Sequence, residues 1–183
     1  MATETKIAER ASSLLVQPKT YSQAQLFALV ALRVLIGWHF LYEGLSKMMN
    51  PYWSSANYLL ESKWIFSSLF ASIVANPTAL KIVDFLNEWG QIAIGFGLIA
   101  GCFTQVATLA GIVLLLLYYV STPPLVGLTY SIPTEGSYLF VNKNLIEMAA
   151  LLVLALFPTG AIIGLDVFIF KRQTVPHKRI KQN

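Results

Sequence analysis

The chain has 183 residues, of which 56% are hydrophobic and only 12% are charged. This balance excludes an ordinary soluble domain and predicts a single domain embedded in a membrane. The formal net charge of +4 is small and lies mostly near the chain ends, so it does not indicate a nucleic-acid-binding protein. Cys102 is the only cysteine, which excludes an intramolecular disulfide, a Cys-x-x-Cys redox pair and a thiolate metal cluster.

Four apolar segments predict an all-α, integral membrane four-helix bundle. A polar tail over residues 1–24 precedes them and lacks the pattern of a cleavable signal peptide. The bundle domain covers residues 25–168, and a basic tail follows over 169–183. The four spans lie at about residues 25–48, 79–99, 104–120 and 143–165, and Pro158 predicts a kink in the last of them.

The first connection, at 49–81, is long enough to hold structure of its own. Its segment 64–74 is apolar at helical spacing but too short to span, which predicts a short interfacial or re-entrant helix. Asn76 and Pro77 predict the start of the next helix, with asparagine as the cap and proline in the first turn.

Charge distribution predicts the orientation of the chain. Four spans place both termini on one side of the membrane, and the two tails hold eight of the thirteen Lys and Arg residues. The positive-inside rule therefore predicts a multi-pass membrane protein with both termini in the cytoplasm.

Ionisable residues recur along the first span. Ionisable groups at membrane depth are costly unless they face a bundle interior, a watery cavity or each other, so they suggest a function. At 100° per residue, one arc of roughly 160° holds every ionisable group of this span together with two glycines. The alternative is a structural role, in which Glu43 and Lys47 form an i,i+4 pair near the surface and Arg33 extends towards the interface.

The predicted topology brings polar residues of three spans to the outer end of the bundle. From the first, second and fourth spans respectively, these are Glu43 and Lys47; Asp84, Glu88 and Gln91; and Asn144 and Glu147. Arg33 lies about 15 Å deeper than Glu43, and the third span, which carries no acidic or basic residue, is predicted to be structural.

This convergence predicts a proton-handling site. Three neighbouring carboxylates cannot all ionise cheaply, so either basic side chains neutralise them or one holds a proton near neutral pH. The predicted catalytic residues are Glu43, Glu88 and Glu147, and the predicted substrate-binding residues are Arg33, Lys47, His39, Gln91 and Asn144. Such a site suits proton-coupled quinone chemistry or a proton path, and the alternative is a satisfied network that sets helix register.

Other cofactors are not predicted. With two histidines in the chain and only His39 in a span, no bis-histidine haem site is expected. A carboxylate-only metal site lacks the Glu-x-x-His spacing of di-iron bundles, and no nucleotide-binding motif occurs. Quinone is therefore the only cofactor predicted.

Three motifs carry a resemblance to a known family. They are Arg33-x-x-x-Gly37-x-x-Phe40-x-x-Glu43-Gly44-x-x-Lys47; Glu88-x6-Gly95-x-Gly97-Leu98-x-x-Gly101-x-Phe103-Thr104; and Phe157-Pro158-Thr159-Gly160 through Gly164-Leu165-Asp166. In these motifs the chain resembles the DoxX/DoxD family of small four-span membrane proteins over about residues 26–168. Gln105 departs from the arginine frequent at that position, and the long first connection is more like the DoxD type.

The resemblance implies a protein of the bacterial inner membrane that is a membrane subunit of a quinone-linked oxidoreductase, of the thiosulfate:quinone type or one linked to oxidative stress. Arg33, Glu43, Lys47 and Glu88 are the positions that it marks. Since the chain has no electron-carrying motif, we expect a membrane or periplasmic protein partner besides the lipid bilayer, and a homo-oligomer is compatible with this reading. The alternatives are a non-catalytic scaffold or partner-docking subunit, and a small transporter or proton path.

Overall fold

The computed structural model describes residues 21–131 and 139–169. The regular elements of these residues are all helices, as predicted. They are α1 (Gln23–Met48), α2 (Ala56–Leu60), α3 (Ser67–Ala75), α4 (Pro77–Ala100), α5 (Thr104–Ser121), α6 (Lys143–Leu156) and α7 (Asp166–Ile169). Most of both predicted tails, 1–24 and 169–183, lies outside the described residues.

The longest helix, α1, buries the face that the spacing predicted. Ser22 begins it with a capping box: its hydroxyl accepts from the Gln25 amide, and the Gln25 side chain accepts from the Ser22 amide. The buried residues of the helix are Arg33, Ile36, Gly37, Phe40 and Gly44. Helical periodicity therefore located the inward face correctly.

Close packing joins α1 to α4. A Cβ placed on Gly95 of α4 would lie 2.4 Å from the backbone nitrogen of Leu41 and 2.6 Å from the carbonyl oxygen of Gly37. Such backbone-to-backbone contact is available only to residues without a side chain. Ile94 and Leu98 of α4 continue from this contact into the apolar core.

A tight turn links α4 to α5, consistent with the four residues that separate the predicted second and third spans. Gly101 ends α4 in the left-handed conformation, with φ of 65°. Asp166, more than sixty residues later, then caps α5, because its carboxylate accepts from the amides of Phe103 and Thr104 and from the Thr104 hydroxyl, at 2.7, 3.0 and 2.6 Å.

The predicted fourth span is wrong in its length. We predicted a kinked helix at 143–165, whereas α6 has 14 residues and ends at Leu156. Pro158 cannot donate to the helix and disfavours helical backbone at Phe157, so the helix stops there rather than bending. The chain then turns, and α7 begins at Asp166.

The first connection contains the predicted short helix. It is α3, and it meets α4 at a bend of 107°. Asn76 caps α4 as predicted, with its side chain accepting from the amides of Thr78 and Ala79. A further short helix, α2, lies earlier in the same connection and was not predicted.

Helix length and hydropathy mark a membrane protein. Among the described residues, α1 and α5 are each long and apolar enough to cross a membrane, and α3 with α4 makes a third candidate if the bent pair is one span. With 14 residues, α6 is about 21 Å long, which is shorter than a typical membrane-crossing helix.

Candidate functional site

The ammonium of Lys47 joins α1 to α4. It donates to the Glu43 carboxylate, one helical turn earlier, at 3.1 Å, and to the side-chain oxygen of Gln91 at 2.7 Å. It also lies 5.8 Å from the centre of the Trp53 ring. The Lys47 side chain is only 15% exposed, so its charge is held mainly by these partners rather than by solvent.

A tyrosine extends this network to the third long helix. The Gln91 amide nitrogen donates to the Tyr118 hydroxyl at 3.1 Å, and that hydroxyl donates to Asn87 at 2.9 Å. Asn87 and Gln91 are four residues apart and share one face of α4. The prediction that the third span is only structural is therefore incomplete, because Tyr118 of α5 is part of the polar network.

A second polar pair joins α1 to α6. His39 Nδ1 lies 2.7 Å from the Glu147 carboxylate, whose side chain is only 9% exposed. The other ring nitrogen of His39 and the other oxygen of Glu147 are also buried, and neither has a hydrogen-bond partner among the described residues. Buried polar atoms without hydrogen-bond partners are costly, so the His39–Glu147 pair is a candidate for a functional role as well as a structural one.

All of these residues except Glu147 line a cavity of about 870 Å³. The predicted site residues that line it are His39, Glu43, Lys47, Gln91 and Asn144. Five of the eight predicted site residues therefore line one cavity, and four of them, Glu43, Lys47, Gln91 and Asn144, belong to the convergence predicted from helix direction. The volume lies within the usual range for small-molecule sites, which are largely apolar with a few polar groups.

Residues that were not predicted also line the cavity. Among them are Trp53, Tyr58, Asn87, Tyr118 and Lys143. Asn87 lies three residues after Asp84 and four before Gln91, so helical spacing was a usable signal for it. The aromatic residues gave no such signal, because they resemble ordinary interfacial or core residues in the sequence.

The two long connections close one end of the cavity. Asp84 of α4 accepts from the Ser54 hydroxyl and from the amide and hydroxyl of Ser55, which holds the first connection against the bundle. The Tyr58 hydroxyl pairs with the Thr122 hydroxyl at 2.6 Å and so links both connections. Burial raises the pKa of Tyr58, although the hydrogen bond to Thr122 opposes this effect.

The remaining predicted site residues stand in different surroundings. Glu147 does not line the cavity itself but pairs with His39, which does. Glu88 is half-buried outside the cavity and makes no hydrogen bond or ion pair with the described residues. Its neighbours Asn87 and Gln91 occupy the face that meets the network.

Arg33 lies away from the cavity, next to the α4–α5 turn. Its guanidinium donates to the Thr159 hydroxyl at 3.0 Å and to the Ile163 carbonyl oxygen at 2.7 Å. The side chain is 2% exposed. In this position Arg33 holds the segment after α6 against α1, and it does not contact the groups predicted to share its site.

The fold and the cavity define a helical membrane protein with a polar site between its helices. Comparison with protein-family models, with curated proteins and with solved structures found no match to the chain. The resemblance to the DoxX/DoxD family therefore stays a prediction carried by the three sequence motifs.

Proposed function

We propose that the chain is a four-span inner-membrane protein of the DoxX/DoxD type and the membrane subunit of a quinone-linked oxidoreductase. In this proposal α1, α4, α5 and α6 are the spans, and the apolar segment that follows α6 completes the short fourth crossing. The observation that carries the proposal is the cavity, where Lys47, Gln91 and Tyr118 form a polar network beside the His39–Glu147 pair.

The residues around the cavity suit a quinone head group. A quinone takes up two electrons and two protons when it is reduced. The Lys47 ammonium has three N–H donors and uses two of them on Glu43 and Gln91, so one can orient a quinone carbonyl oxygen. The neighbouring apolar walls exclude water from that oxygen, and the ring therefore has both a hydrogen-bond donor and an apolar surface available.

The His39–Glu147 pair supplies a place for a proton. In a low-dielectric interior a histidine and a carboxylate that share one additional proton form a net-neutral pair, which costs less than an isolated carboxylate. The pair reaches the cavity through His39, so it can take a proton from the cavity or return one to it. Glu43, which also lines the cavity, is a second proton carrier in this proposal.

A scaffold role is the second candidate, and a specific observation favours it. Lys47 and Asp84 each find hydrogen-bond partners within the chain, as expected of groups that hold helices and connections in place. The two long connections are also tied together by Lys63, which donates to the Thr129 carbonyl oxygen, and by Glu61, which accepts from the Ser131 amide. A surface formed by two connections that are hydrogen-bonded to each other suits the docking of a partner protein.

The test is thiosulfate-dependent reduction of a soluble quinone analogue by the protein purified in mild detergent, with co-purifying proteins identified. Glu147→Gln removes the carboxylate charge paired with His39, and Glu88→Gln makes the same change at a residue that neither lines the cavity nor pairs with a residue that does. We expect about a hundredfold loss of turnover in Glu147→Gln and little change in Glu88→Gln, with similar melting temperatures.

Other outcomes separate the alternatives. Equal turnover in both variants would refute a proton role for the His39–Glu147 pair, and loss in Glu88→Gln alone would return the role to Glu88. Absence of turnover in the unmodified protein, together with a stoichiometric partner, would favour the scaffold. Proton leak into vesicles that is altered by Glu147→Gln, without redox activity, would favour a proton path.

A further inference from the structure

The packing of α4 against α5 differs between the two halves of these helices. Near the turn that joins them they touch directly: a Cβ placed on Gly97 would lie 3.1 Å from the Cβ of Ala107, and one on Gly111 would lie 3.5 Å from Ile94. Towards the connections, Tyr118 bridges the helices by its hydroxyl bonds to Asn87 and Gln91. Small residues thus allow α4 and α5 to touch near the turn, whereas a long side chain spans the space between them at the other end.

Leucines of α4 and α5 contribute both to the cavity wall and to the outer surface of the bundle. Leu86 of α4 and Leu117 of α5 line the cavity, yet they are 60% and 53% exposed. Leu69 of α3 also lines the cavity and is 53% exposed. The cavity wall is therefore continuous with the apolar outer surface of the bundle, which in a membrane contacts acyl chains rather than water.

The polar groups of the cavity adjoin these leucines along each helix. Asn87 directly follows Leu86, and Tyr118 directly follows Leu117. Because these four side chains line the same cavity, a molecule that passed between the two leucines would enter the space lined by the Asn87–Tyr118–Gln91 network, where the Lys47 ammonium lies 2.7 Å from the Gln91 side-chain oxygen. The site has an apolar entrance and a polar end.

We propose that the cavity takes an amphiphile dissolved in the bilayer, which enters between α4 and α5. Its hydrogen-bonding head group lies against Lys47, Gln91 and Tyr118, and its hydrocarbon chain leaves between Leu86 and Leu117. The inference rests on the proposed function for the location of the site, and it adds that the lipid-phase reactant, rather than a water-soluble electron donor, occupies this cavity. An isoprenoid quinone and a phospholipid share this chemistry.

Binding is measured through Trp53, which lines the cavity. A chain in which the other three tryptophans are replaced by phenylalanine is placed in lipid nanodiscs. Quenching of Trp53 is then recorded against the mole fraction of a decyl-chain quinone, of the same head group without a chain, and of a phospholipid with brominated acyl chains. Leu117→Phe narrows the entrance, and Leu116→Phe, at an exposed residue outside the cavity, is its matched control.

We expect saturable quenching by the decyl-chain quinone and about tenfold weaker binding in Leu117→Phe, with no change in Leu116→Phe. Equal binding of the chainless head group, unaffected by Leu117→Phe, would overturn lateral entry. Quenching by the brominated phospholipid, without competition from quinone, would support lateral entry but refute the proposed quinone function. If the single-tryptophan chain does not fold, the same ligands are compared by the rise in melting temperature that they cause in the chain with all four tryptophans, with Leu117→Phe and Leu116→Phe as before.

Discussion

Gly95→Ala tests whether the contact between α1 and α4 sets the geometry of the site. The added methyl group would lie 2.4 Å from the Leu41 nitrogen and 2.6 Å from the Gly37 carbonyl oxygen. Both are backbone atoms, which cannot rotate away as a side chain would. The helices must therefore separate by about 1 Å to restore ordinary contact distances.

The expected cost follows from these distances. Overpacking of a close contact typically costs about 1–3 kcal/mol, and rigid backbone on both sides places this site near the upper value. Alanine returns about 1 kcal/mol through its better helix propensity. The net destabilisation of about 2 kcal/mol corresponds to a melting temperature lower by roughly 4–8 °C.

The assay is thermal unfolding of the purified protein in one detergent at a fixed heating rate. Gly90→Ala is the matched control, because a Cβ there has no neighbouring atom within 4 Å. We expect this control to unfold at or slightly above the temperature of the unmodified protein. If Gly95→Ala were as stable as Gly90→Ala, the close contact would not constrain the helices, and the reasoning would be refuted.

Three further predictions concern single side chains. Asp166→Ala removes the cap of α5 and should lower the free energy of unfolding by about 1–3 kcal/mol, with Asp166→Asn in between; an unchanged melting temperature would show that another group caps the helix. Lys47→Met leaves Gln91 without its charged donor and should destabilise by about 1–3 kcal/mol, whereas exposed Lys81→Met should change stability by less than about 0.5 kcal/mol; equal effects would contradict the Lys47 network. The pKa of Tyr58 is raised from its ordinary value of 10.0, so the stability that Tyr58 contributes is intact below pH 10 and falls as the phenol of the unfolded chain ionises above that pH. Tyr58→Phe should therefore flatten the decline of the unfolding midpoint at alkaline pH. An identical decline in the variant would refute a raised pKa of Tyr58.

Local patterns predicted much of the helical structure. Residues three and four apart located the buried face of α1, and the capping propensity of asparagine located the start of α4. The predicted end of α6 was wrong, although Pro158 in the sequence indicates a site of irregularity. Whether a helix bends or stops at proline depends on what satisfies the chain beyond it, and here Arg33 binds that segment at Thr159 and Ile163.

The candidate site was predictable only in part. Helix direction brought Glu43, Lys47 and Gln91 to one level, and they do meet. Asn87 and Glu88 are consecutive polar residues of α4, about 100° apart around the helix, and the sequence could not show which of them points into the bundle. Rotation of a helix about its axis is decided by its contacts, and here Tyr118 of α5 binds Asn87 and Gln91 rather than Glu88.

The sequence by itself determined that this protein is helical and apolar enough for a membrane, and that the polar face of its first long helix turns inward. Those properties depend on residues within a few turns of one another. Only the tertiary structure decided that His39 pairs with Glu147, that Tyr118 joins the network, and that Arg33 binds the segment after α6. Each depends on side chains from distant parts of the chain, whose distances follow from helix packing rather than from sequence spacing.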